Sequence, residues 1–308
     1  MSDQGIYVDL GQLLAIEHQC AHLGLNSHKA VNTLLQGTRR SKIKGNGINF
    51  EEARPYQLGD DVRHIDWKVT ARLQSTYVKV FTEELERPVI VMVDQRQDMF
   101  AGTRHMLKSY AAAMVAGYFT WMTHKAGDRA GFVLFDDQQI EMTPVKGHIA
   151  HLMRSFDQLV SFNRRLSANN HVISNEAQLE AALAKLQAVS VHDAIVVLIS
   201  DFIGFNEACL HRIHSLQQHC TVIAVPIHDY LDQHWPDAGE YLACQNGQFG
   251  HFNLSNPAVN RDVQQLIARR IETTEQLIAQ TGASTLLINT DSSVENQIRT
   301  RLKEAGLL

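Results

Sequence analysis

The feature that most constrains the fold is a run of five apolar residues, Val89-Ile90-Val91-Met92-Val93, closed by Asp94. A β-branched run with no alternating polar position needs cover on both faces, which is the environment of a strand in a parallel sheet. The pattern returns at 194–200, ahead of Asp201, and at 221–227. Between the first two runs the spacing becomes helical. Met106, Leu107, Tyr110, Ala111, Met114, Val115, Tyr118, Phe119 and Met122 keep one broad apolar face, and Gly127 ends the helix. Further strands are predicted at 130–135, 140–142 and 284–288, and helices at 148–162, 176–189, 206–218, 259–280 and 294–305. Asn246-Gly247 within 241–254 predicts a hairpin. Strands alternating with helices over 88–308 predict an α/β domain, a mostly parallel sheet with helices on both faces.

Residues 1–87 read as an N-terminal helix and a β-containing extension of that domain. Leu10, Leu13, Leu14 and Ile16 have helical spacing within 9–23, and Asn32 to Leu35 could add another turn. Arg39, Arg40, Lys42 and Lys44, with three glycines and no carboxylate over 37–47, suit an exposed loop. Tyr77, Val78, Val80 and Phe81 suggest a strand, and Gly59-Asp60-Asp61 a turn. Asp60, Asp61, Arg63, Asp66 and Arg72 crowd Ile65 and Trp67, so some of them must pair. Arg63 and Asp66 are expected as interior members of a network that fastens this segment to the sheet.

A chain of 308 residues that is 44% hydrophobic and 20% charged can build one large domain plus an attachment. Its net charge of −5 argues against a dedicated binder of nucleic acid or anionic membrane. The basic loop lacks the interleaved aromatics of a stacking platform. Four scattered cysteines without a CxxC pair read as reduced thiols, and a cytoplasmic protein is expected. No run reaches the ~18 uncharged apolar residues of a spanning helix, so stable membrane insertion is not expected. Among sixteen histidines, His211 and His214 share a helical face but lack a third ligand, and read as surface residues.

In open parallel sheets, ligands bind at the carboxyl ends of strands beside a switch in strand order. Asp94 and Asp201 close two predicted strands, and Asp98 follows four residues after Asp94, so the three could gather as ligands to a hard cation such as Mg²⁺. Equally, each could simply open a loop or cap a helix. His228 and Asp229 are a conceivable base pairing. GxSxG, GxxxxGK[ST] and strand-borne GxGxxG are all absent, so nothing in the chain supports an enzyme directly.

The segment RPYQLGDDVRHIDWKVTAR at 54–72, followed by YVKVFTEE, closely resembles the signature of the DUF 58 family (domain of unknown function 58). The matching positions are Arg54, Tyr56, Gly59, Asp60, Arg63, Ile65, Asp66, Trp67, Thr70, Ala71 and Arg72, joined later by Asp94 and by Ser200-Asp201-Phe202. The resemblance, over about 37–230, implies a von Willebrand factor A-like domain with the signature segment as an extra β element. It also implies a partnership with a MoxR-class AAA+ ATPase in assembling or activating a client protein. The exposed signature residues, with Arg39 and Arg40, would then form the docking face. The family-type metal motif DxSxS becomes Asp94, Arg96 and Asp98 here, and Arg96 would repel a cation. Two expectations follow: a non-enzymatic adaptor for the ATPase, or a metal-dependent hydrolase using Asp94, Asp98 and Asp201.

Overall fold

The computed structural model describes residues 5–22, 49–57, 61–82, 88–169, 172, 174–189, 192–233, 239–245 and 248–304. The chain divides into two compact units, Thr38–Glu86 and the remainder. The basic loop with Arg39 and Arg40, the Gly59-Asp60 turn, and the helical turn predicted at 32–35 lie outside the described residues.

The larger unit is built on the predicted parallel strands. β3 (Pro88–Asp94), β4 (Arg129–Phe135), β6 (Ile195–Ser200) and β7 (Thr221–His228) run parallel, and the short β5 (Ile140–Met142) pairs antiparallel at one edge. The order is β5-β4-β3-β6-β7-β10, with β10 (Ser284–Thr285) and then β11 (Ile288–Asn289) both pairing with β7. The single last strand expected at 284–288 is therefore two short ones.

Each central strand divides its side chains between two cores, as a period of two requires. Val89, Val91 and Val93 join one core, whereas Ile90 and Met92 join the other. The first core is closed by α1 (Leu10–His22), α3 (Lys108–Lys125), α4 (Ile149–Arg165) and α9 (Val294–Glu304). The second is closed by α5 (Ala177–Ala188), α6 (Glu207–Gln217) and the end of α8 (Pro257–Thr281). Burying each of these Val, Ile, Leu or Met side chains is worth about 1.5–3 kcal/mol, so the continuous apolar runs are the main support of the sheet.

α3 corrects the sequence reading in one respect. The helix is buried around nearly its whole circumference rather than along one face. Its outer side is covered by α1, where Leu13 and Ile16 approach Gly117 so closely that an added Cβ would lie 2.6 Å from Ile16 Cδ1. Trp121 donates its indole N–H to the Leu13 carbonyl (2.8 Å), which satisfies a buried donor. The N-terminal helix thus belongs with the sheet and not with the signature segment, a different division from the one expected at residue 87.

In the smaller unit, β1 (Asn49–Pro55) and β2 (Tyr77–Thr82) pair antiparallel around a 3₁₀ turn (Val62–His64) and α2 (Trp67–Leu73). Neither β1 nor α2 was expected from the sequence. The predicted hairpin is present as β8 (Glu240–Gln245) and β9 (Gln248–Asn253), following the short α7 (Tyr230–Gln233).

Candidate functional site

The chain passes from β3 to β4 on one side, then returns through α4 and α5 to β6 on the other. The carboxyl ends of β3 and β6 therefore flank the switch in strand order, where a crevice opens in sheets of this kind. The register aligns Val93 with Ile199, which places Asp94 and Asp201 at neighbouring strand ends.

Arg96 stands between them. Its backbone N–H donates to Asp94 Oδ1 (3.0 Å), Nε donates to Oδ1 (3.0 Å), and Nη2 donates to Oδ2 (2.7 Å). Nη2 also donates to the Ile203 carbonyl (3.0 Å) and lies 3.8 Å from Asp201 Oδ1. Ser200 Oγ donates to Asp94 Oδ2 (2.6 Å) and accepts from the Phe202 N–H (2.9 Å). Lys108, the first residue of α3, donates from Nζ to Asp201 Oδ2 (2.5 Å). The side chains of Asp94 and Arg96 are 0% exposed, and those of Lys108 and Asp201 are 6% and 5%.

The local backbone is shaped for these contacts. Phe202 adopts φ +56°, a strained conformation for a bulky residue. It is held there by burial against Phe205, with ring centroids 5.7 Å apart, and by its bond to Ser200. This turn aims the Ile203 carbonyl at Arg96 while Asp201 faces Lys108.

The charges reinforce one another. Burial works against the guanidinium, but Asp94, with help from Asp201 and Asp98, raises the Arg96 pKa above its already high value. Burial likewise works against the Lys108 ammonium, and Asp201 more than offsets it. Burial would raise the Asp201 pKa, yet Lys108 and Arg96 together hold that carboxyl below the usual range.

Of the three predicted metal ligands, Asp94 and Asp201 come together, and Asp98 lies on the adjoining 3₁₀ turn (Gln97–Met99), accepting from Ser174 Oγ. These residues do not fit a divalent cation. Mg²⁺ needs oxygen atoms at about 2.0–2.1 Å, whereas both Asp94 oxygens accept from Arg96 and both Asp201 oxygens face cations. The second pairing considered, His228 with Asp229, is not made. Asp229 instead accepts from the Thr103 N–H and hydroxyl, the Leu231 N–H and the Thr290 hydroxyl, which outweigh burial and lower its pKa. His228 is buried, which lowers its pKa, and lines a cavity of about 20 Å³ with Lys108, Asp201 and Asp232. His211 and His214 are exposed on α6.

Sequence reasoning missed Lys108, and named Ser200 only as a match to the family signature and not as a site residue. Ser200 was signalled by its place before Asp201, but Lys108 is fourteen positions from Asp94 and its role depends on where α3 begins.

The signature residues form a separate local structure. Asp66 caps α2, accepting from the Lys68 and Val69 N–H groups, and lies 3.9 Å from Lys79 Nζ. Arg63 is not an interior residue. It pairs with Asp61 (2.9 Å) and its side chain is 86% exposed, because Asp61 caps the 3₁₀ turn that carries it. Trp67 is 70% exposed, with Val62 and Leu73 also exposed and Arg72 nearby in sequence on α2. Arg54 and Tyr56 are half-buried at the end of β1.

This is a mixed α/β protein with a mostly parallel sheet whose strand-end site is closed by internal ion pairs. The chain belongs to the family of the Protein of unknown function DUF58, whose model matches residues 52–272. Its relatives include the uncharacterized protein Rv1480 of Mycobacterium tuberculosis and the uncharacterized protein Mb1516 of Mycobacterium bovis. Each is 24% identical over 271 residues, covering 87% of this chain and 83% of the relative. Among solved structures, an uncharacterized membrane spanning protein from Vibrio fischeri matches at 15% identity, covering 71% of this chain and 98% of that one. Its TM-score of 0.23 carries no argument about the fold. Among the described residues, no helix is long and apolar enough to cross a membrane.

Proposed function

We propose that this protein is a non-enzymatic adaptor or assembly factor acting with a MoxR-class AAA+ ATPase, its larger unit a von Willebrand factor A-like domain. The observation that carries the adaptor reading is the exposure of three large apolar residues, Val62, Trp67 and Leu73, in the family's signature segment, where they adjoin in sequence the exposed cations Arg63, Lys68 and Arg72. Tryptophan and arginine are the residues that most often dominate binding energy at protein interfaces. A parallel sheet with a single antiparallel edge strand and an Asp at the end of β3 supports the domain assignment. Against the hydrolase alternative, Asp94 and Asp201 are committed to Arg96 and Lys108, which leaves neither carboxylate free as a base. The buried thiols Cys20 and Cys209 are unpaired, which suits a reducing cytoplasm.

The test is association with a MoxR-class AAA+ ATPase from the same organism, measured by calorimetry with the full chain. Trp67→Ala, Arg72→Glu and the double reversal Arg39→Glu with Arg40→Glu should each weaken association while leaving the melting temperature nearly unchanged. Undiminished binding in all three variants would remove the signature segment as the docking face.

A further inference from the structure

The strand-end site has the charge balance of a metal centre without room for the metal. Two buried carboxylates, Asp94 and Asp201, meet two buried cations, Arg96 and Lys108, which together carry the charge of one divalent ion. Arg96 Nη2 is the atom between the strands, bonded to Asp94 Oδ2 at 2.7 Å and facing Asp201 Oδ1 at 3.8 Å. The guanidinium cannot drift away as an ion can. It is tied to Asp94 through Nε and Nη2 and to the Ile203 carbonyl through Nη2, and its Cζ lies over the Phe135 ring, 5.6 Å from the centroid. It also stays charged at every accessible pH. Its remaining nitrogen, Nη1, is buried with no hydrogen-bond partner among the described residues. Burying that donor is a cost which the contacts to Asp94 and Ile203 must outweigh.

We propose that Arg96 and Lys108 are a built-in replacement for a divalent cation, so that the chain itself completes the strand-end site and a metal can bind there only after Arg96 is removed. The charge between Asp94 and Asp201 is then independent of the surrounding ion concentration. Whatever docks on this crevice meets it in one fixed electrostatic state. The inference rests on the geometry of the site and stands apart from the ATPase partnership.

The experiment uses the full chain and compares thermal melting in EDTA with melting in excess Mg²⁺ or Mn²⁺. The wild type should melt at the same temperature in all three media. Arg96→Ser should melt lower in EDTA and recover in a saturable way with Mn²⁺, with an affinity at least about tenfold above that of the wild type. Adding Asp94→Asn to that variant should abolish the recovery. A saturable Mn²⁺ stabilisation of the wild type that Asp94→Asn removes would overturn the proposal. So would a folded Arg96→Ser protein that gains no ion dependence. Should Arg96→Ser fail to fold in any medium, Arg96→Gln takes its place with the same two outcomes, and the wild-type arm stands by itself.

Discussion

Two Asp-x-Arg pairs in this protein have nearly the same local geometry and opposite surroundings. In Asp94 and Arg96, the arginine N–H donates to the carboxylate at 3.0 Å and Nη2 lies 2.7 Å from Oδ2. In Asp61 and Arg63, the corresponding distances are 2.9 Å and 2.9 Å. The first pair is wholly buried at the switch in strand order, whereas the Arg63 side chain is 86% exposed in the signature unit. A short motif can set its own hydrogen bonds, but what those bonds are worth depends on the solvent that tertiary packing leaves around them. Breaking a buried pair strands a charge away from water, whereas an exposed pair loses partners that water replaces.

The largest expected effect is therefore at the buried pair. Arg96→Ala should lower unfolding free energy by about 3–5 kcal/mol, because Asp94 loses its main partner in a dry site. Denaturant titration at neutral pH measures it, and a loss below about 1 kcal/mol would mean that water reaches Asp94 after all.

Acid and base sharpen the contrast through Asp201 and Lys108. The folded Asp201 pKa lies below the ordinary 3.8, so its contribution is complete above that pH and is lost as pH falls through the folded value. The folded Lys108 pKa lies above 10.5, so its contribution is complete below that pH and is lost as pH rises through the folded value. Stability measured from pH 2 to 12 should fall at both extremes, and Lys108→Met should flatten the alkaline limb. An unchanged alkaline limb in that variant would detach Lys108 from the site.

A smaller loss, about 1 kcal/mol, is expected for Asp66→Ala, which removes the N-terminal cap of α2. Hydrogen exchange of the Lys68 and Val69 amides should report it locally, with α3 and β3 unaffected. Smallest of all is Arg63→Ala, for which no measurable shift in melting temperature is expected because the pair already stands in water. A shift comparable to that of Arg96→Ala would break the comparison outright.

Much of the larger unit was legible in the sequence. Val89 to Val93, Ala194 to Ile199 and Val222 to Val225 are apolar at every position. Such runs leave a buried parallel strand as the consistent reading, because a half-exposed strand would alternate. Asp94 and Asp201 were placed at strand ends by the same runs. In the signature unit, 49–55 mixes charged and apolar residues without a clear period, and α2 spans only seven residues, so neither element announced itself.

What the sequence determined by itself was local: the strand runs and the carboxylates that end them, set by neighbours within a few positions. Only the tertiary structure decided that α1 covers α3, that Lys108 faces Asp201 across 93 positions, and that Arg96 is dry while Arg63 is wet. The physical reason is that burial belongs to the packed whole. The same two side chains carry different free energies according to how much water the rest of the chain excludes around them.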